Sequence, residues 1–149
     1  MGEWEMKNDE FDAKRFIDAQ KNSYDMALAE IKSGRKQTHW MWYIFPQISG
    51  LGKSTTSDFY AIKSIEETIC FLSDPYLGKN LTEISTALLS LQTNNASEVF
   101  DFPDDKKLKS SMTLFASISD ANSVFQKVLD KFFGGKYDKR TLSILSKLQ

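Results

Sequence analysis

The sequence predicts a mainly α fold: an irregular bundle of six to seven helices with one extended aromatic segment that contains glycine and proline. Three observations lead there. Apolar residues recur at helical spacing along most of the chain. Ser, Asp and Pro stand where helices would begin, and Gly where they would end. Little of the remainder reads as strand, and 149 residues with 41% hydrophobic content suit one domain with a real core.

The elements follow in order. Residues 1–11 read as a flexible N-terminal extension, polar over its first ten positions, and 12–149 as a single helical domain. From Asp12 to Ser33, Phe16, Ile17, Tyr24, Leu28 and Ile31 recur near helical spacing among helix-favouring alanines, and Gly34 supplies a stop. The stretch that follows has no helical period, and Pro46 prevents a regular continuation. Residues 57–62 suggest one helical turn. Ser64 and Glu67 match the Ser-x-x-Glu capping box, opening a helix that carries Ile65, Ile69, Phe71 and Leu72. Asp74-Pro75 starts another, with Asp74 as cap and Pro75 at the first helical position, running to about Leu91. After the break at 93–97, a short turn carries Val99 and Phe100. Pro103 opens a helix through Leu108, Met112, Phe115 and Ile118. Asp120 is expected to cap the next, which buries Val124, Phe125, Val128, Leu129 and Phe132 and ends at Gly134-Gly135; Asp138 caps a last helix with Leu142, Leu145 and Leu148.

Charge and composition narrow the function classes. Nineteen basic residues face twenty acidic ones, so the net charge of -1 provides no global field for a polyanion or an anionic membrane. Nucleic acid is therefore not an expected partner, although Arg35, Lys36 and nearby aromatics leave a local basic patch open. No apolar run approaches the ~20 residues of a bilayer span, and the N-terminus lacks the basic start and apolar stretch of a signal peptide. A single cysteine, Cys70, fits a reducing compartment. The expectation is a cytoplasmic protein with no membrane partner and an oligomeric state left open.

Chemistry concentrates in "THWMWYIFPQISGLGKST", residues 38–55, which holds the only histidine and two of the three tryptophans. Its tail imitates a phosphate-binding loop. Aligning Gly52-Lys53-Ser54 on that motif puts Gln47 where the first glycine belongs, and the alternating strand–helix context is missing. A glycine turn before a helix start still offers amides to an anion. His39 is a candidate acid or base, the alternative being a histidine that orders its loop. It has no companions for a metal site, and no metal or cofactor is expected. If the segment is extended, Trp40 and Trp42 share a face; they either line a pocket or belong to the core. In "KLKSSMTLF", residues 107–115, Lys107, Ser110, Ser111 and Thr113 are unusually polar for a helix, which suggests a close packing contact, donors to a ligand or a solvated face.

Four blocks carry a resemblance. They are "RFIDAQ" (15–20), "GRKQTHWMWYIFPQISGLGKS" (34–54), "KLKSSMTLF" (107–115) and "VLDKFFGGKYDKRTLSIL" (128–145). In them the chain resembles the bacterial domain-of-unknown-function family 1810, a family often mislabelled "calpastatin". The resemblance implies a mainly α-helical fold and no mechanism. Its pattern includes His39-Trp40, Trp42, Pro46-Gln47, the Gly50-Leu51-Gly52 turn and the Ser110–Thr113 run, but not lysine at position 53. The calpastatin label has no support, because a disordered inhibitor would be poor in aromatics and this chain is 13% aromatic.

Two functions compete. In the first, the domain binds a polar, anionic or nucleotide- or sugar-derived small molecule and acts as an enzyme if His39 is catalytic. Trp40, Trp42, Gln47, Gly50, Gly52, Lys53 and Ser111 would then bind the ligand. In the second, residues 39–46 form an exposed aromatic patch for a protein partner.

Overall fold

A computed structural model describes residues 11–148. Residues 1–10, most of the expected N-terminal extension, lie outside the described residues. Among those described there are nine helices and no strand beyond an isolated bridge: α1 Lys14–Lys32, α2 Met41–Ile44, α3 Thr55–Phe59, α4 Ile65–Ser73, α5 Pro75–Leu89, α6 Ala96–Phe100, α7 Asp104–Ala116, α8 Val124–Phe133 and α9 Lys139–Leu148. The all-α class stands. The count exceeds six to seven because two one-turn pieces, α2 and α6, also close into helix.

Capping explains most of the boundaries. Ser64 Oγ accepts from the Glu67 amide at the start of α4, and Glu67 reaches back to the Lys63 amide, one residue before the usual box partner. Asp74 ends α4 and begins α5, its carboxylate accepting from the amides of Tyr76 and Leu77 at 2.9 Å. The two helices are thus joined with no linker. Asp120 is not the cap of α8. Its carbonyl accepts from the Ser123 amide, closing a turn, and Ser123 caps the helix one turn later by accepting from the Gln126 amide. Ser123 and Gln126 match the Ser-x-x-Gln pattern, but only its Ser half forms, because the Gln126 side chain bonds Asp130 and Tyr137.

The long helices enclose one apolar core. α1 lies along α5, α5 packs on α4 and α8, and α7 packs on α8, α6 and α9. A run of rings passes through the centre: Phe16 meets Phe71 edge-on at 5.0 Å, Phe71 meets Phe115 at 5.4 Å, and Phe115 meets Phe125 at 5.7 Å. Phe11 packs on Phe16 at one end. In α9 the inward face is Thr141, Ile144 and Leu145, whereas Leu142 and Leu148 are exposed, correcting the expected stripe by one position.

A buried polar network ties α1 to its neighbours. Gln20 donates to the Tyr43 carbonyl and accepts from the Asn80 amide; Tyr24 donates to the Asn80 carbonyl and to Glu83. Burial, then the bond to Glu83, pushes the Tyr24 phenol far above its ordinary range.

Candidate functional site

The aromatic segment is built on one carboxylate. Glu30, near the end of α1, is 9% exposed. Its Oε1 accepts from the amides of Gln37 and Thr38 and from the Trp40 indole N–H; its Oε2 accepts from the Thr38 hydroxyl. Burial pushes the carboxyl up, but the donors from Thr38, Gln37 and Trp40 outweigh it and hold the pKa down to about 2. This clamp draws Trp40 into the core, 1% exposed, beside Phe45 and Phe100. Residues 41–44 then close into α2 instead of an extended strand, because Met41 and Ile44 both bury and helical spacing brings them to one side. Trp40 and Trp42 therefore do not share a face: Trp40 is core and Trp42 is half-buried. The idea of an exposed aromatic patch at 39–46 is corrected likewise, since Trp40, Met41, Ile44, Phe45 and Pro46 are all buried.

The chain then turns along the surface. Gln47 and Ser49 pair with Ile62 through Ile62 N–H to Gln47 O at 2.9 Å and Ser49 N–H to Ile62 O at 2.7 Å, a short parallel bridge that fixes the glycine turn. Gly50 has φ +104 and approaches Ile144 of α9. Gly52 leaves room for Ser57: a Cβ on it would stand 2.5 Å from the Ser57 hydroxyl. Ser54 caps α3 by accepting from the Ser57 amide.

The opposite wall comes from α7 and α9. Pro103, Lys106, Lys107 and Ser110 fall on one face of α7 at helical spacing. Thr113, one turn further on, donates to the Lys109 carbonyl and accepts from the Asp138 amide. Asp138 in turn accepts from the Thr141 amide and hydroxyl. The start of α9 is thereby pinned to α7, and Arg140 and Lys106 line one cleft. Replacing Thr113 by valine is expected to lower stability by about 1–2 kcal/mol, because it leaves the Asp138 amide without its acceptor. Urea denaturation checks it, and an unchanged midpoint would remove the clamp from the account.

Two concavities meet between these walls. The outer cleft has a volume of about 400 Å³, with Gln47, Gly52 and Ser57 on one side and Lys106, Ser110 and Arg140 among the residues on the other. A small inner recess of about 20 Å³, reached by Trp42, Gly50 and Tyr60, shares Gln47, Gly52 and Ser57 with it. Lys107 stands at the junction, its Nζ 5.4 Å from the Trp42 ring centre and 3.6 Å from Asp104. Asp104 also holds the buried Lys36 at 3.0 Å. Among the described residues, Lys106 and Arg140 have no carboxylate partner. Burial and the neighbouring Tyr43 push the Tyr60 phenol up.

The structure therefore brings Trp42, Gln47, Gly50 and Gly52 to one place and leaves the other expected site residues elsewhere. His39, the expected acid or base, is exposed on the turn before Trp40 and lines neither concavity. Lys53 is exposed and lines neither. Ser111 is fully buried, with its hydroxyl unpartnered among the described residues. Its neighbour Ser110 reaches the cleft instead. Phe102, Lys106, Ser57 and Arg140 were not anticipated. The helical spacing of Pro103, Lys106 and Ser110 is the signal that would have found the α7 face. No group of three His, Cys, Asp or Glu side chains clusters among the described residues, and no helix there is long and apolar enough to cross a membrane.

Comparison with known proteins agrees with this organisation. A search of the curated proteins finds no match. The crystal structure of the conserved hypothetical protein Rv1873 from Mycobacterium tuberculosis is similar, with 44% sequence identity and a TM-score of 0.89 over 91% of this chain and 97% of that one. The family described as "Protein of unknown function (DUF1810)" matches residues 10–145. This chain belongs to that family.

Proposed function

We propose that the domain is a cytoplasmic binder of an anionic small molecule, held in the cleft between the Gly50–Gly52 turn and the α7/α9 wall. One observation carries the reading: Lys106, Lys107 and Arg140 converge on a concavity whose other side offers Gln47, Ser57 and the glycine turn. Asp138 is the acidic member of the lining, and its carboxylate is engaged by Thr141. The lining thus holds Lys106, Lys107 and Arg140 against Asp138, with Lys107 also near Asp104, although the whole chain carries -1. Lys107 is half-buried, whereas Lys106 and Arg140 stand exposed at the cleft mouth, so their attraction for an anion is the part that salt screens. The volume suits a small ligand. Within this reading Gln47 and Gly52 keep the roles expected for them, and Trp42 and Gly50 border the adjoining recess; Lys106, Lys107, Ser110 and Arg140 supply what Lys53 and Ser111 were expected to give. The lining assigns His39 no part, so the reading is one of binding rather than catalysis.

Titration with ribose 5-phosphate, followed by amide and indole NMR, tests it. Signals of Gly52, Gln47 and the Trp42 indole are expected to move together, and less so at high salt. The Lys106→Ala, Arg140→Ala double variant should weaken binding by about tenfold or more. Saturating phosphate ester that leaves those signals in place would end the proposal.

A further inference from the structure

Phe102 is the most exposed large hydrophobic side chain among the described residues, at 76%. It lines the anion cleft together with Pro103 and Lys106. The other exposed phenylalanine, Phe59, packs edge-on against Tyr60 at 4.8 Å, whereas Phe102 has no ring or cation contact among the described residues. Its backbone is nonetheless held firmly. Asp101 adopts φ 60 and ψ 163, a conformation that residues with a side chain seldom take. Arg35 holds that residue through an ion pair of 2.7 Å, and the Asp101 amide donates to Ser97. On the other side the Pro103 carbonyl accepts from the amides of Lys106 and Lys107. An exposed, unpartnered ring on an anchored backbone, four residues from Lys106, is placed to stack on a base beside an anion site.

We infer that the ligand of this cleft is a nucleoside phosphate: its phosphate rests between Lys106 and Arg140, and its base stacks on Phe102. The inference rests on the anion-binding reading and adds the class of ligand. A sugar phosphate or inorganic phosphate would meet the cations and leave the ring untouched. A base has a π-face whatever its edge pattern, so the platform selects for the presence of a base rather than for its identity. The cleft volume of about 400 Å³ accommodates one nucleotide and no extended strand.

Affinities for AMP, ribose 5-phosphate and inorganic phosphate, measured by calorimetry on the wild type and on Phe102→Ala, separate the possibilities. AMP is expected to bind wild type about tenfold more tightly than ribose 5-phosphate. Phe102→Ala should bring AMP to the level of ribose 5-phosphate and leave the latter unchanged, and Phe102→Tyr should restore the preference. The side chain is exposed, so truncation leaves the core intact. Equal binding of AMP and ribose 5-phosphate by wild type, or equal weakening of both by Phe102→Ala, overturns this inference and leaves the anion site standing. If none of the three binds, the site and the inference fall together.

Discussion

Replacing Gly78 by alanine is expected to lower the unfolding free energy by about 3 kcal/mol. For a domain of this size that corresponds to a fall in Tm of roughly 10 °C. Helix propensity alone argues the opposite, because alanine is better than glycine inside a helix by about 1 kcal/mol. Packing decides the sign. Asp74 is at once the C-cap of α4 and the N-cap of α5, so the two helices fold back on each other with a single residue between them. The carbonyl of Leu72 then lies against the Gly78 backbone. A Cβ there would overlap that oxygen and stand 3.0 Å from the carbonyl carbon. The obstacle is main chain rather than the end of a mobile side chain, so relief requires opening the α4–α5 corner. That corner sets Phe71, whose ring touches both Phe16 and Phe115 in the core. Lys79→Ala, on the exposed side of the same helix, provides the control and should change stability by no more than ~0.5 kcal/mol. A Gly78→Ala protein as stable as wild type in urea would refute the argument.

The same corner shows what could be read from the chain. Asp74-Pro75 announced a helix start because cap and first-turn geometry are local: the donors that Asp74 must satisfy lie two and three residues away. The same holds for Ser64 and Asp138. Nothing local says that Leu72 meets Gly78 across the corner. At α8 two competent caps stand three residues apart: Ser123 accepts from the Gln126 amide, and Asp120 closes the turn before it through its carbonyl. The aromatic segment departs from its expected extended form for a different reason. Four residues are too few to show a period, so α2 forms only because Glu30 draws Trp40 inward and the core buries Met41 and Ile44.

The candidate site was half visible on similar grounds. Gln47, Gly50 and Gly52 were found because a glycine turn next to polar donors is unusual in a helical protein. Ser111 was chosen where Ser110 lines the cleft, and one residue on a helix is a rotation of about 100°. Arg140 and Phe102 belong to segments far apart in sequence, brought together where the Thr113–Asp138 clamp pins α9 to α7. Glu30 escaped notice for the most general reason: a glutamate near the end of an amphipathic helix ordinarily faces water.

That glutamate carries the second large effect. Glu30→Ala is expected to cost about 3–4 kcal/mol, since it leaves the buried Trp40 indole N–H and the Thr38 amide without their acceptor. Glu30→Gln should cost less, about 1–2 kcal/mol, because one carbonyl oxygen remains and only the charge and one acceptor are lost. The two variants also respond differently to acid than wild type does. The folded carboxyl sits at about 2, against about 4.3 in an unfolded chain. A depressed folded pKa means the carboxylate stabilises the fold above the unfolded value and loses that contribution as pH falls through the folded one. Wild type should therefore lose stability between about pH 5 and pH 2 relative to Glu30→Gln, and the gap between the two should narrow over that window. Denaturation midpoints for both proteins at pH 7, 5, 4 and 3 test this. A gap that stays constant across that series would mean that the folded and unfolded carboxyls titrate alike, and the ionised form would have no preferential part in seating Trp40.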